Sequence, residues 1–196
     1  VVFSGRVGPA TILEGLTLLN GSAQDGGGLR SAGDRPTSPT IRNNIIRLNF
    51  AIDRGGGIFR CDGLIERNRI ESNEADRGGA IQGCAGVVRA NTLSDNVARL
   101  GGAAAECRAA FESNVLRRNE ARLQAGALYR CSGPIRDNAF VANSSAEDGG
   151  ALHSCHGLIE NNRFLHNLAR QGGAIFGCNS TIRGNHVEKN RGNLGA

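Results

Sequence analysis

Read for its apolar and polar positions, the chain repeats one short pattern and never settles into a long amphipathic helix or a long strand. Residues 64–86 (LIERNRIESNEADRGGAIQGCAG) show the pattern most cleanly. Apolar side chains stand at Ile65, Ile70 and Ile81, each flanked by polar residues or glycines, with Asn68, Asn73 and Cys84 at fixed places between and after them. There is no 3.6-residue apolar period, and a unit of 23 residues is too short for a helix pair. Three short strands separated by corners account for the pattern: one around Ile65, one around Ile70 and one from Ala80 to Cys84.

The unit recurs along the whole chain. Equivalent starting positions fall at Thr11, Thr40, Leu64, Val87, Ala110, Pro134, Leu158 and Thr181, with steps of 29, 24, 23, 23, 24, 24 and 23 residues. One asparagine series runs Asn44, Asn68, Asn91, Asn114, Asn138, Asn162 and Asn185, with Gly15 opposite it in the opening unit. A second runs Asn20, Asn49, Asn73, Asn96, Asn119, Asn143, Asn167 and Asn190. All six cysteines fall in one column: Cys61, Cys84, Cys107, Cys131, Cys155 and Cys178.

A coil of strands that returns to its start, displaced by about 4.8 Å, pairs each strand in parallel with its copies above and below. The predicted fold is therefore all-β: a single right-handed parallel β-helix over residues 1–196, with about eight coils of 23–24 residues and three short strands per coil. Ile41, Ile65, Val88, Phe111, Ile135, Ile159 and Ile182 form one buried stack, and Ile46, Ile70, Leu93, Leu116, Phe140, Phe164 and Val187 another. Each such side chain is worth roughly 1.5–3 kcal/mol of burial. The asparagines are expected at corners, where Asn tolerates a left-handed backbone and its amide bonds to stacked copies. The longer units carry their extra residue between the second Asn and the next aliphatic, which predicts a corner outside the ladders there. The insertion at 33–39 (GDRPTSP) reads as a surface loop.

Charge changes the picture in one column. Arg42, Glu66, Arg89, Glu112, Arg136, Glu160 and Arg183 alternate in sign coil by coil, so in-register stacking gives cross-strand ion pairs and a slip of one coil sets like on like. The net charge of +5 rests on arginine, Lys189 being the only lysine. Arg alternates with Asp and Glu and does not gather on one face, which argues against nucleic-acid binding. No apolar run approaches a membrane span and no signal peptide is visible, and a chain without Met reads as a processed piece of a longer one.

The strands GGGI, GGAI and GGAL (at 55–58, 78–81, 149–152 and 172–175) alternate with FxxN-like segments at 70–73, 140–143 and 164–167. In this the chain resembles the right-handed parallel β-helix proteins of the pectin-lyase-like type, and most of all the repeats of bacterial surface proteins such as the polymorphic outer-membrane proteins. The resemblance implies a fold and an extracellular or bacterial cell-surface location. It does not imply one activity, since that family mixes adhesins, passenger domains, lyases and hydrolases.

Catalytic chemistry is not evident. Of the polygalacturonase-like motifs only His156-Gly157 is present, and no outward column stacks two carboxylates on a strand. Asp53 and Asp76, an expected corner pair in neighbouring coils, are each followed by a neutralising Arg (Arg54, Arg77), too few oxygens for Ca²⁺. The cysteines read as buried free thiols, because in-register stacking strains a disulfide and a straight column cannot wrap a tetrahedral ion. His153 and His156 bracket Cys155 but are expected to diverge as surface residues. No catalytic, cofactor or metal residue is assigned. The candidate binding surface consists of Asp34 and Arg35 in the loop, and of Val115, Ala139, Val141 and Leu165, apolar residues where earlier coils carry Arg69 and Glu71.

The leading expectation is a non-catalytic rigid rod that presents a loop or lateral face to a macromolecule, protein or polysaccharide. The alternatives are a carbohydrate-binding or polysaccharide-cleaving module whose catalytic residues lie elsewhere, and a unit that self-associates end to end.

Overall fold

The computed structural model describes residues 1–32 and 37–194 and is a parallel β-solenoid of eight coils. Its strands form four eight-stranded sheets, each joining equivalent strands of successive coils, and every strand pair is parallel. In the order the chain meets them within a coil, the first sheet holds strands such as Leu64–Glu66, the second Arg69–Glu71, the third Glu74–Arg77 and the fourth Ile81–Gln82.

The third sheet replaces the corner expected between the second Asn and the next aliphatic. Its signal is a column of small residues two places after that Asn: Ala51, Ala75, Ala98, Ala121 and Ala169, all buried. The extra residue of the longer coils enters this sheet as an irregularity. Register shifts occur between Ala23 and Asp25, between Glu74 and Arg77, and between Ala98 and Leu100. A β-bulge absorbs one residue without breaking the flanking pairs.

The two predicted aliphatic stacks are buried from Ile41 to Ile159 and from Ile46 to Phe164, while Ile182 and Val187 in the last coil are exposed. A third stack from the fourth sheet (Leu29, Ile58, Ile81, Ala104, Leu128, Leu152) completes the core. The interior is narrow where the glycine pair enters. Gly78 takes a left-handed φ of +64°, and a Cβ on Gly79 would stand 2.4 Å from the Gly102 carbonyl oxygen.

Both asparagine series form buried ladders. Asn91 Oδ1 accepts from the Asn68 backbone N–H (2.8 Å) and from Asn68 Nδ2 (3.1 Å), while Asn91 Nδ2 donates to the Ile65 carbonyl (2.8 Å) and onward to Asn114 Oδ1 (3.1 Å). Asn114, Asn138 and Asn162 repeat this, as does the second series from Asn49 to Asn190. The left-handed residue is not the ladder Asn but its predecessor: Arg67, Ala90, Ser113 and Asp137 before the first series, Ser72, Asp95, Arg118 and Ala142 before the second. The corner turns on that residue, so the Asn that follows points inward.

Pairing in the opening coil is one residue off the sequence alignment. Ile12, not Thr11, pairs with Thr40, and the amides of Leu16 and Gly21, not Gly15 and Asn20, meet Asn44 and Asn49. Asn20 sits at the left-handed position instead.

Candidate functional surfaces

The charge-alternating column lies in register on the first sheet, with ion pairs Arg42–Glu14 (2.9 Å), Arg89–Glu66 (2.9 Å), and Arg136 and Arg183 both on Glu160 (2.8 Å each). This wall is laced shut by neighbouring strands.

On the second sheet, Val115 pairs with Ala139 and Val141 with Leu165, so the structure brings the four predicted residues together. Arg117 and Arg163 occupy the positions paired with Val141 and Ala139, and of the four only Val115 is exposed, at 40%. What results is a narrow, half-buried stripe. Asp34 and Arg35 lie outside the described residues.

The third sheet, unforeseen as a sheet, carries the larger apolar surface. Its strand Phe50–Arg54 alternates outward Phe50, inward Ala51 and outward Ile52, leaving Phe50 44% and Ile52 60% exposed. Leu48, at the preceding corner, is exposed beside them. Phe50 and Ile52 open onto a groove of about 390 Å³ whose other walls include Glu74, Asp76, Arg99, Arg122 and Leu123. Its polar walls are fixed: Arg99 grips Asp76 through two hydrogen bonds (2.7 and 3.1 Å), and Arg122 reaches Glu74, 48 residues away, at 2.6 Å. The Arg99 guanidinium holds the Asp76 carboxyl below the usual carboxylate range. Asp53 and Asp76 lie in strands rather than at corners, and each meets its following arginine (3.5 and 3.6 Å) as expected. The legible signal for this surface was the FAI triplet after Asn49, which alternates with a period of two.

The fourth sheet shows an outward row that is nonetheless covered: Phe59, Gln82, Ala105, Tyr129 and His153 are all buried. His153, expected on the surface, is 8% exposed and stacks between Tyr129 (5.6 Å) and Phe176 (5.5 Å). Burial lowers its basicity, against the opposing pull of Asp148, whose Oδ2 lies 3.9 Å from Nε2. His156 is exposed, so the two histidines do diverge. Further along the same face, a smaller groove of about 240 Å³ is lined by Arg54, Phe59, Arg60, Gln82, Glu106 and Arg108. Gln82 donates to Glu106 (2.9 Å), and its Oε1 is buried without a partner.

The six thiols are free, and all but the half-buried Cys178 are fully enclosed. Among the described residues, no group of three or more His, Cys, Asp and Glu side chains is arranged to hold a metal ion. Nor is any helix long and apolar enough to cross a membrane, a statement that leaves β-barrels aside.

No family model matches the chain, and no curated protein or solved structure matches it either. The class defined by fold and surface is the parallel β-solenoid repeat protein.

Proposed function

We propose that the chain is a non-catalytic, rigid segment of an exported bacterial surface or extracellular β-helix protein, and that it binds another macromolecule along the third sheet. The supporting observation is the contiguous exposure of Leu48, Phe50 and Ile52 beside a groove with ion-paired walls, on a rod whose first sheet is closed by cross-strand charge pairs. Exposed apolar patches rimmed by polar groups mark contact surfaces. The asparagine ladder at the corner where the second sheet turns into the third fixes where each strand of this face begins, so that a partner meets it pre-formed.

The placement on a bacterial surface draws on the GGA[IL] and FxxN resemblance. The test exposes the purified chain to polygalacturonate and to a panel of acidic and neutral polysaccharides. No cleavage is expected, and release of unsaturated or reducing-end products overturns the proposal.

One observation favours a carbohydrate-binding reading as the second choice. The smaller groove is lined by Arg54, Arg60 and Arg108, whose guanidinium groups suit the carboxylates of an acidic polysaccharide. Saturable binding of an acidic polysaccharide, abolished by Arg108→Ala, would move it to first place.

A further inference from the structure

The second sheet carries two arginines on terms unlike those of its neighbours. On the first sheet Arg42, Arg89, Arg136 and Arg183 are held by Glu14, Glu66 and Glu160, and on the third Arg54, Arg99, Arg122 and Arg170 each meet a carboxylate at 2.6–2.9 Å. On the second sheet Arg69 is paired within its own strand, to Glu71 at 2.9 Å. Two coils later the register sets Val115 at the Arg69 position and Arg117 at the Glu71 position. Two coils further, Arg163 returns to the Arg69 position with Leu165 where the glutamate stood. Asp95, one coil before Arg117, is taken by Arg118 through two hydrogen bonds (2.7 and 2.8 Å). Glu188, one coil after Arg163, is taken by His186 and Lys189 (3.2 and 2.9 Å). Among the described residues Arg117 and Arg163 have no ion pair, and both are exposed.

The outward positions of Val115–Arg117, Ala139–Val141 and Arg163–Leu165 hold these two arginines and four apolar side chains, with no carboxylate. Arg117 heads the row that runs through Val141 to Leu165, and Arg163 ends the row that begins with Val115 and Ala139. The arginines therefore stand at opposite corners of an apolar floor. They are two strand spacings apart along the axis and two residues apart along the strand, which makes about 12 Å on the diagonal. We propose that this face docks an extended acidic segment of a partner protein, with carboxylates at its first and fifth residues and an apolar side chain at its third. In an extended strand these three side chains point the same way, and first to fifth spans about 13 Å. Each arginine then receives one carboxylate, which its planar fork suits, and the central side chain rests on Ala139 and Val141.

The arrangement suits a polypeptide better than a polyanion. A nucleic acid or other phosphorylated polymer carries charge at every unit and is met by a continuous track of cations. Here apolar side chains separate the two cations, and a polypeptide strand can change the kind of side chain along one face. Asparagine ladders at both ends of these strands hold the floor in place before a partner arrives. The face lies on the sheet next to the one the proposed function uses, and neither depends on the other.

The experiment follows the fluorescence anisotropy of a short labelled peptide with the core Glu-Thr-Leu-Thr-Glu as the folded chain is added at low salt. Saturable binding that weakens as salt rises is expected. Arg117→Gln and Arg163→Gln should each lower affinity about tenfold. Arg69→Gln, whose guanidinium already has its carboxylate, should leave it unchanged. Replacing both peptide glutamates by glutamine should abolish binding. A Glu-Glu-Thr-Leu-Thr core, equal in charge but with adjacent carboxylates, should bind about tenfold more weakly, since it reaches one arginine only. Absence of saturable binding, equal binding of the glutamine or the re-spaced peptide, or full affinity in both arginine variants would overturn the proposal. Capture of heparin in place of the peptide would assign the face to a polyanion and overturn it as well. The comparison of peptides on the unaltered chain decides the matter even if a variant fails to fold.

Discussion

The two flanks of each coil are held by different means. On the flank where the first sheet turns into the second and the second into the third, every complete coil supplies a buried Asn at both corners, and the first two sheets run without a register shift. On the flank formed by the third and fourth sheets no such corner asparagine stands among the described residues. Register there shifts at three places, and the glycine pair and a small-residue column do the fitting. A side-chain amide that closes its own turn and bonds its neighbours fixes both length and register. Where only packing fits the coils together, a coil tolerates an extra residue, and it is on this flank that exposed Phe50 and Ile52 and the two grooves beside Asp76 and Gln82 lie.

Breaking the amide flank should have the largest effect. Asn114→Ala removes the acceptor for the Asn91 N–H and Nδ2 and the donor to the Val88 carbonyl, all buried. Leaving such groups unpaired costs about 1–3 kcal/mol each, so a loss of about 4 kcal/mol is expected, read from urea unfolding. A smaller loss would mean that water enters the corner.

Gly102→Ala tests the opposite flank. Its Cβ would lie 2.4 Å from the Gly126 carbonyl oxygen, and overpacking of this kind costs about 1–3 kcal/mol. Deletion of Asp53 should cost less, about 1 kcal/mol or below, because it shortens the bulge to the length of the next coil and removes only an exposed ion pair. Deletion of Arg67, the left-handed corner residue on the amide flank, should instead abolish cooperative unfolding of the wild-type kind.

The smallest effect expected is one of pH. His153 is held in its neutral form by burial, so its folded pKa is depressed below the unfolded value. The unfolded chain then binds the proton first, and the contribution of His153 to stability, present above the unfolded pKa of about 6.5, falls as pH drops through that value towards the folded one. Asp148 opposes the shift and Arg130 adds to it. His153→Phe should flatten the fall in urea midpoint between neutral and mildly acid pH; an unchanged slope would place the titration elsewhere.

The sequence alone determined the period, the parallel stacking, both aliphatic columns, the cysteine column and the alternating charges. Each is carried by a residue type repeated at a fixed step, and in a solenoid a fixed step along the chain is a fixed place in space. The asparagines were legible as ladders but not in their conformation, since the left-handed residue before each one varies from Arg to Ser to Asp and leaves no compositional trace.

The third sheet was hidden by its inward side chains. A column of alanines lacks the apolar contrast of Ile or Phe, and variable length resembles a loop. Which outward residues are covered was also beyond a one-dimensional reading. His153 and Val115 both face out by parity, yet His153 is enclosed by rings from adjacent coils while Val115 meets solvent. Burial on the outside of a strand depends on what neighbouring coils place beside it, and only the assembled stack decides that.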